Sequence, residues 1–174
     1  MLLLKKESIH YKLINWLVLL IIILGVFLRF FHYFTNRSLW LDEGYLVSSL
    51  LRFDYKELLN FPLDYQQKAP IGFLLAVKFF LTVFGDSQYT LRIVPLMSGI
   101  ASIFLFIPVI RYFLNDWGRV ISMTIICLSP AFIYHSVEIK QYSTELFCSI
   151  LSLYIVLKFK NLDKRSDFFL LSFY

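Results

Sequence analysis

Long apolar runs separated by short polar clusters set the frame of this chain of 174 residues. Five runs, at residues 13–34, 71–84, 91–113, 120–137 and 142–159, are complete, and another starts at Phe168 and breaks off at Tyr174. In a bilayer a helix satisfies its backbone groups internally, and about 20 apolar residues cross a hydrocarbon core of roughly 30 Å. The pattern therefore predicts an all-α fold, a polytopic bundle of transmembrane helices. The unfinished run from 168 reads as a truncated span, and the sequence as the N-terminal fragment of a longer protein or of a truncated gene.

Run 71–84 departs from the rest. It has fourteen residues, carries Lys78 in its middle and is followed by Gly85-Asp86. As a helix it covers about 21 Å at 1.5 Å per residue, short of the core. Charge decides its place. If all five runs crossed, Lys158, Lys160, Lys164 and Arg165 would lie opposite Lys5, Lys6 and Lys12, against the tendency of basic residues to stay cytoplasmic. Laying 71–84 at the outer interface removes the conflict and makes Arg111 and Arg119 cytoplasmic as well. Four spans result, about 13–34, 91–113, 120–137 and 142–159, with a cytoplasmic N-terminus and one large outer loop over 35–90. Within that loop Asp42 and Glu43 suit the start of an interfacial helix over about 42–53, since carboxylates are favoured at a helix N-terminus. Pro70 opens a second one, over about 70–84.

Apolar residues make up 59% of the chain, well above soluble domains. The net charge of +5 is therefore a statement about topology. No stripe of Lys and Arg interleaved with polar residues is present, so the expected partner is membrane lipid and not nucleic acid. Cys127 and Cys148 lie in apolar runs away from any ligand spacing and read as packing residues. Lys5-Lys6 could open a secretory signal, but the apolar stretch is long and no small-residue cleavage site follows, which favours an uncleaved first helix. The expected location is the plasma (inner) membrane, as an integral multi-pass protein.

This topology brings Asp42, Glu43, Lys68, Glu138 and Lys140 to one membrane face. Asp42-Glu43 can serve merely to start a helix. Beside a low-dielectric boundary the same acids can accept a proton from a hydroxyl or hold a divalent cation. A helix N-terminus lowers the basicity of a carboxylate, and partial desolvation raises it. Arg29, near the outer end of the first span, either snorkels to the interface or meets a phosphate or an outer acid. His32 reads as an interfacial residue and Arg92 as an anchor. Gln67 and Lys68 put an amide and a cation before the second interfacial helix. Glu138, Lys140 and Tyr142, with His135 and Glu145 nearby, form a second polar knot. His135 and Glu138 stand one helical turn apart, too few for a metal centre on their own. No phosphate-binding glycine loop, nucleophile elbow or paired-cysteine zinc pattern occurs. No metal ligand and no cofactor is assigned, beyond the divalent cation that the acids could hold.

Four elements belong together: Leu28-Arg29-Phe30 ending the first span, LWLDEGY at 39–45, QQKAPIGFLLAVKFFLTVFG at 66–85 running into SQYTLRIVPL at 87–96, and VEIKQYS at 137–143. Their order resembles the N-terminal region of membrane glycosyltransferases of the GT-C class, nearest to the protein mannosyltransferase and aminoarabinose transferase-like group (glycosyltransferase family 39-like). The resemblance implies transfer of a sugar, hexosyl or pentosyl, from a polyprenyl-phosphate donor to a lipid, glycan or protein acceptor at the outer or lumenal face. It implies Asp42 as the general base, Glu43 as its companion, Lys68 near the donor phosphate and Glu138 as the acid of the second outer loop. Arg29, Lys140 and Tyr142 complete the set of substrate-contact candidates. Gln66-Gln67 replace an acidic residue that some relatives carry before the Lys-Pro stretch, which counts against a metal there. Relatives add further helices and a C-terminal region for the acceptor, so the fragment alone need not be active. The alternative functions are a non-catalytic membrane scaffold subunit and a transporter segment with Arg29, Lys78 and Glu138 along an ion path.

Overall fold

Apolar helical runs become helices: in the computed structural model every regular element among the described residues is helical. The structure describes residues 2–159, with side chains from Tyr11 onward. The side chains of Lys5 and Lys6, together with Lys160, Lys164, Arg165 and the expected span from 168, lie outside the described residues. The order is α1 (Leu2–Thr35), α2 (Leu41–Arg52), α3 (Tyr55–Asn60), a 3-10 turn (Asp64–Gln66), α4 (Ile71–Phe84), α5 (Gln88–Phe113), α6 (Asp116–Leu128), α7 (Pro130–His135) and α8 (Tyr142–Phe159). Three stretches, Tyr11–Thr35, Gln88–Phe113 and Tyr142–Phe159, are long and apolar enough to cross a membrane. They mark a membrane-spanning protein.

Two apolar cores organise the helices. α1, α5, α6 and α8 share one built on Ile14, Ile21, Ile103, Met123, Ile126 and Ile150. The other lies where α2 and α4 meet the start of α5, and contains Leu46, Leu50, Phe73, Val77, Leu91 and Ile139. In α4 the buried positions Phe73, Leu74, Val77 and Leu81 form one stripe, the spacing of a helix with a single packed face. Phe79, Val83 and Phe84 remain exposed. Lys78 is not stranded in this apolar helix, because its Nζ donates to the Leu50 carbonyl at 2.9 Å. That carbonyl belongs to the last turn of α2, where intrahelical donors run out and the helix dipole is negative.

Run 120–137, expected as one span, is two helices instead, with α6 ending at Leu128 and α7 beginning at Pro130. Pro130 has no N–H to offer the Ile126 carbonyl, and it holds Ser129 in the extended region at φ −61°, ψ 128°. Arg29 takes the freed carbonyls. Its Nη2 donates to Ile126 O at 2.8 Å and its Nη1 to Cys127 O at 3.0 Å, and Nη1 also reaches Gly25 O at 3.0 Å. Arg29 is therefore buried; it does not snorkel to the interface, and it meets carbonyls in place of an outer acid. Gly25, one turn earlier, permits the close approach, since a Cβ there would stand 2.7 Å from the Cβ of Cys127. Gly99 does the same for α5, where a Cβ would come within 2.5 Å of the Cβ of Ser136.

Replacing Arg29 by Met should lower stability by about 3 kcal/mol, because two buried carbonyls lose charged donors. Thermal unfolding in detergent measures this. Pro130→Ala returns an amide to Ile126 and should offset part of the loss, so equal losses with and without it would show that the two features are uncoupled.

Candidate functional site at the α2 N-terminus

The end of α1 and the start of α5 lie together, and the chain between them is built around buried polar groups. Tyr33 Oη donates to the Tyr89 carbonyl at 3.0 Å. Arg92, fully buried in α5, spends its guanidinium on the turn after α1. Nη1 donates to Asn36 Oδ1 at 2.7 Å and Nη2 to the Arg37 carbonyl at 2.6 Å. Asn36 is left-handed there, at φ 44°, a conformation that Asn tolerates better than most side chains. The turn so held aims the Arg37 side chain inward, its Cζ 4.4 Å from the centre of the Tyr134 ring and both terminal nitrogens 3.4 Å from the Glu43 carboxylate.

Glu43 has no exposure to solvent. In the first turn of α2 its Oε2 accepts from the backbone N–H of Trp40 at 2.9 Å, closing the helix start. Its Oε1 accepts from the N–H of Ile139 at 2.8 Å. With Arg37 beside both oxygens the carboxylate is saturated. In this arrangement Glu43 joins the α1–α2 turn, α2 and the segment after α7.

Asp42 faces the other way, 63% exposed. Its Oδ2 pairs with Lys140 Nζ at 2.8 Å, and its Oδ1 accepts from Gln67 Nε2 at 3.0 Å. Lys140 also donates to Gln67 Oε1 at 2.7 Å, which closes a triangle. The Gln67 amide donates to the acid and accepts from the amine at once, which an ionised carboxylate at position 67 could not do. The hydrogen bond from Lys140 outweighs the upward push of burial and, with the weaker one from Gln67, holds the Asp42 carboxyl below its ordinary range. Asp42 is consequently ionised at neutral pH.

The remaining candidates divide. Lys68 is exposed and stands at the rim of a cleft of about 770 Å³ whose wall includes Leu58, Phe61, Leu63, Ile71 and Leu74. Glu138 and Tyr142 gather around His135, with His135 Nδ1 2.6 Å from Glu138 Oε2 and the His135 and Tyr142 rings 4.8 Å apart. They share a chain segment with Lys140 but form their own group. Arg29 belongs to the helix break. His32 is exposed, its ring edge-on to Phe31 at 5.6 Å. Among the described residues no three His, Cys, Asp or Glu side chains are grouped to hold a metal ion.

Sequence reasoning missed Arg37, and it read Gln67 as a lost acid and not as a bridge. Arg37 lies six residues before Glu43, off the spacing of a helix face and in the irregular turn between α1 and α2, so no local pattern signals the pair. The amide character of Gln67 was visible, but its use depends on Lys140, 73 residues away.

Comparison with known proteins gives no family, because no family model, no curated protein and no solved structure matches this chain.

Glu43→Gln places an amide NH2 against a backbone donor and should cost about 3 kcal/mol, as removal of one partner from a buried charged network does; unfolding in detergent reads this out, and an unchanged midpoint would contradict the saturated network. Lys140→Met should let Asp42 titrate closer to the ordinary value of 3.8, followed on its carboxyl carbon resonance. Because the pair depresses the folded-state value, its stabilisation is complete above the unfolded value and is lost as pH falls through the folded one. The stability difference between the wild type and Lys140→Met should therefore close in acid, and a difference that widens there would contradict the assignment.

Proposed function

We propose that this chain is the N-terminal part of a membrane sugar transferase of the GT-C class, one that moves a sugar from a polyprenyl-phosphate donor to an acceptor at the outer or lumenal face, with Asp42 as the proton acceptor. The observation that carries the reading is the placement of Asp42. It is exposed and ionised, framed by Lys140 and Gln67, and next in the chain to a buried carboxylate that immobilises its helix. Of the elements that resemble this class, LWLDEGY supplies Asp42, and QQKAPIGFLLAVKFFLTVFG and VEIKQYS supply the Gln67 and Lys140 that frame it. The proposed topology keeps the N-terminus cytoplasmic and puts residues 35–90 and the turn around Glu138 outside.

The chemistry follows from charge. The anomeric carbon–phosphate oxygen bond breaks, the polyprenyl phosphate leaves with the electron pair, and the acceptor oxygen or nitrogen bonds to carbon as its proton passes to Asp42. The leaving phosphate needs a cation. Lys68 has no hydrogen bond or ion pair to any described residue, and the apolar wall behind it suits an isoprenoid chain. A phosphate that also draws Lys140 away would leave Asp42 a stronger base, so donor binding prepares the proton acceptor. Arg29 and Lys78 are occupied by carbonyls of α6 and α2, which removes two of the three charges that an ion path would use.

In the whole protein, supplied with polyprenyl-phosphate sugar and acceptor, Asp42→Asn should lower the transfer rate by about a hundredfold or more, while the thermal unfolding midpoint falls no further than it does in Lys140→Met. Retained transfer in Asp42→Asn rejects this base.

A further inference from the structure

The turn that delivers Gln67 to Asp42 contains an anomaly. Tyr65 and Gln66 are both left-handed, at φ 54° and φ 56°. Glycine or asparagine would make such a turn with less strain, and a bulky aromatic residue at positive φ is a genuine outlier. Its neighbour Asp64 forces the geometry by anchoring to α2. The Asp64 N–H donates to Ser49 Oγ at 2.9 Å, and its carboxylate accepts from Arg52 at 2.5 Å and from Ser48 Oγ at 3.4 Å. The turn then lays the Tyr65 ring on Tyr45, centroids 4.2 Å apart and planes 21° from parallel. Tyr45 is three residues after Asp42 on α2, hence on the same face of the helix. Two residues after Tyr65, the Gln67 side chain touches Asp42. The stacked pair therefore adjoins the proposed reacting carboxylate, yet Tyr65 stays 64% exposed. Strain at functional sites persists where the surroundings enforce it. Here it places an aromatic face in the open beside the acid.

We propose that Tyr65, backed by Tyr45, is a platform for a pyranose ring. The C–H hydrogens on one face of a pyranose are weakly positive and meet the negative face of an aromatic ring, while the hydroxyls at its rim face Asp42 and Gln67. The proposal rests on the sugar-transfer reading for its ligand class. The ring belongs either to the donor or to the acceptor, and the test has an arm for each.

The measurement is saturation-transfer NMR on the whole protein in a sugar-free detergent, with the methyl pyranosides of glucose, galactose and mannose, beside separate KM values for donor and acceptor. Tyr65→Phe keeps the stack. Tyr65→Leu keeps apolar bulk for the membrane interface but loses the ring, and Tyr65→Gly relieves the left-handed strain. Saturation of sugar C–H protons should appear in the wild type and in Tyr65→Phe, and fall away in Tyr65→Leu and Tyr65→Gly. KM should rise about tenfold in the last two, the scale of a lost aromatic contact, for the donor if its sugar lies on Tyr65 and for the acceptor otherwise. No saturation of any pyranoside in the wild type, or unchanged saturation in Tyr65→Leu, overturns the platform. Ring-dependent saturation in a protein that transfers no sugar upholds the platform and sinks the enzyme reading. Undiminished transfer and saturation in Tyr65→Leu does the reverse.

Discussion

A carboxylate sealed from water is tolerable only where donors surround it, and Glu43 meets that condition by drawing together parts of the chain that are far apart in sequence. Arg37 and the Trp40 amide come from before α2, and the Ile139 amide comes from beyond α7. The Ile139 side chain meanwhile enters the core between α2, α4 and α5, so the backbone contact is pinned on its apolar side as well. Register then does the rest. With Glu43 tied to Ile139, the preceding Asp42 and the following Lys140 fall opposite each other at 2.8 Å. The pair of an exposed acid and a buried amine is a by-product of the sealed carboxylate next to it.

Cations are used in two ways in this structure. Lys140 meets an acid, and Arg37 lies beside another. Arg29, Arg92 and Lys78 instead donate mainly to oxygens left over where helices stop or turn. In apolar surroundings a bare carbonyl costs about as much as a lost hydrogen bond, and a long basic side chain can reach one from a neighbouring helix. A charge inside an apolar run therefore signals a nearby helix end as readily as a substrate path.

Much of the fold was legible because hydropathy and helical periodicity are local. The all-α class, the starts of α2 and α4 and the extents of α5 and α8 follow from residue patterns to within a few positions. The break at Pro130 was printed in the sequence but masked by apolar residues on both sides, since hydropathy sums do not keep account of backbone donors. α3 and the 3-10 turn escaped because Pro62 and the mixed polarity of 54–66 read as irregular chain. For the site, charge asymmetry alone put Asp42, Lys68 and Lys140 on one face. The division of labour between Asp42 and Glu43 was not readable, since neighbouring acids in a helix start differ only in which way the helix turns them.

The join between α1 and the α6–α7 break also bears on the order in which the protein is made. Arg29 leaves the ribosome roughly a hundred residues before the carbonyls it will serve. Until it is alongside, the carbonyls of Ile126 and Cys127 lack the charged donors that they have in the fold. The first helix thus has to wait, correctly placed, for a later pair that cannot settle without it. A version of this protein that begins after α1 would lack more than one helix of the bundle, because its α6 and α7 would have no dry place for their ends.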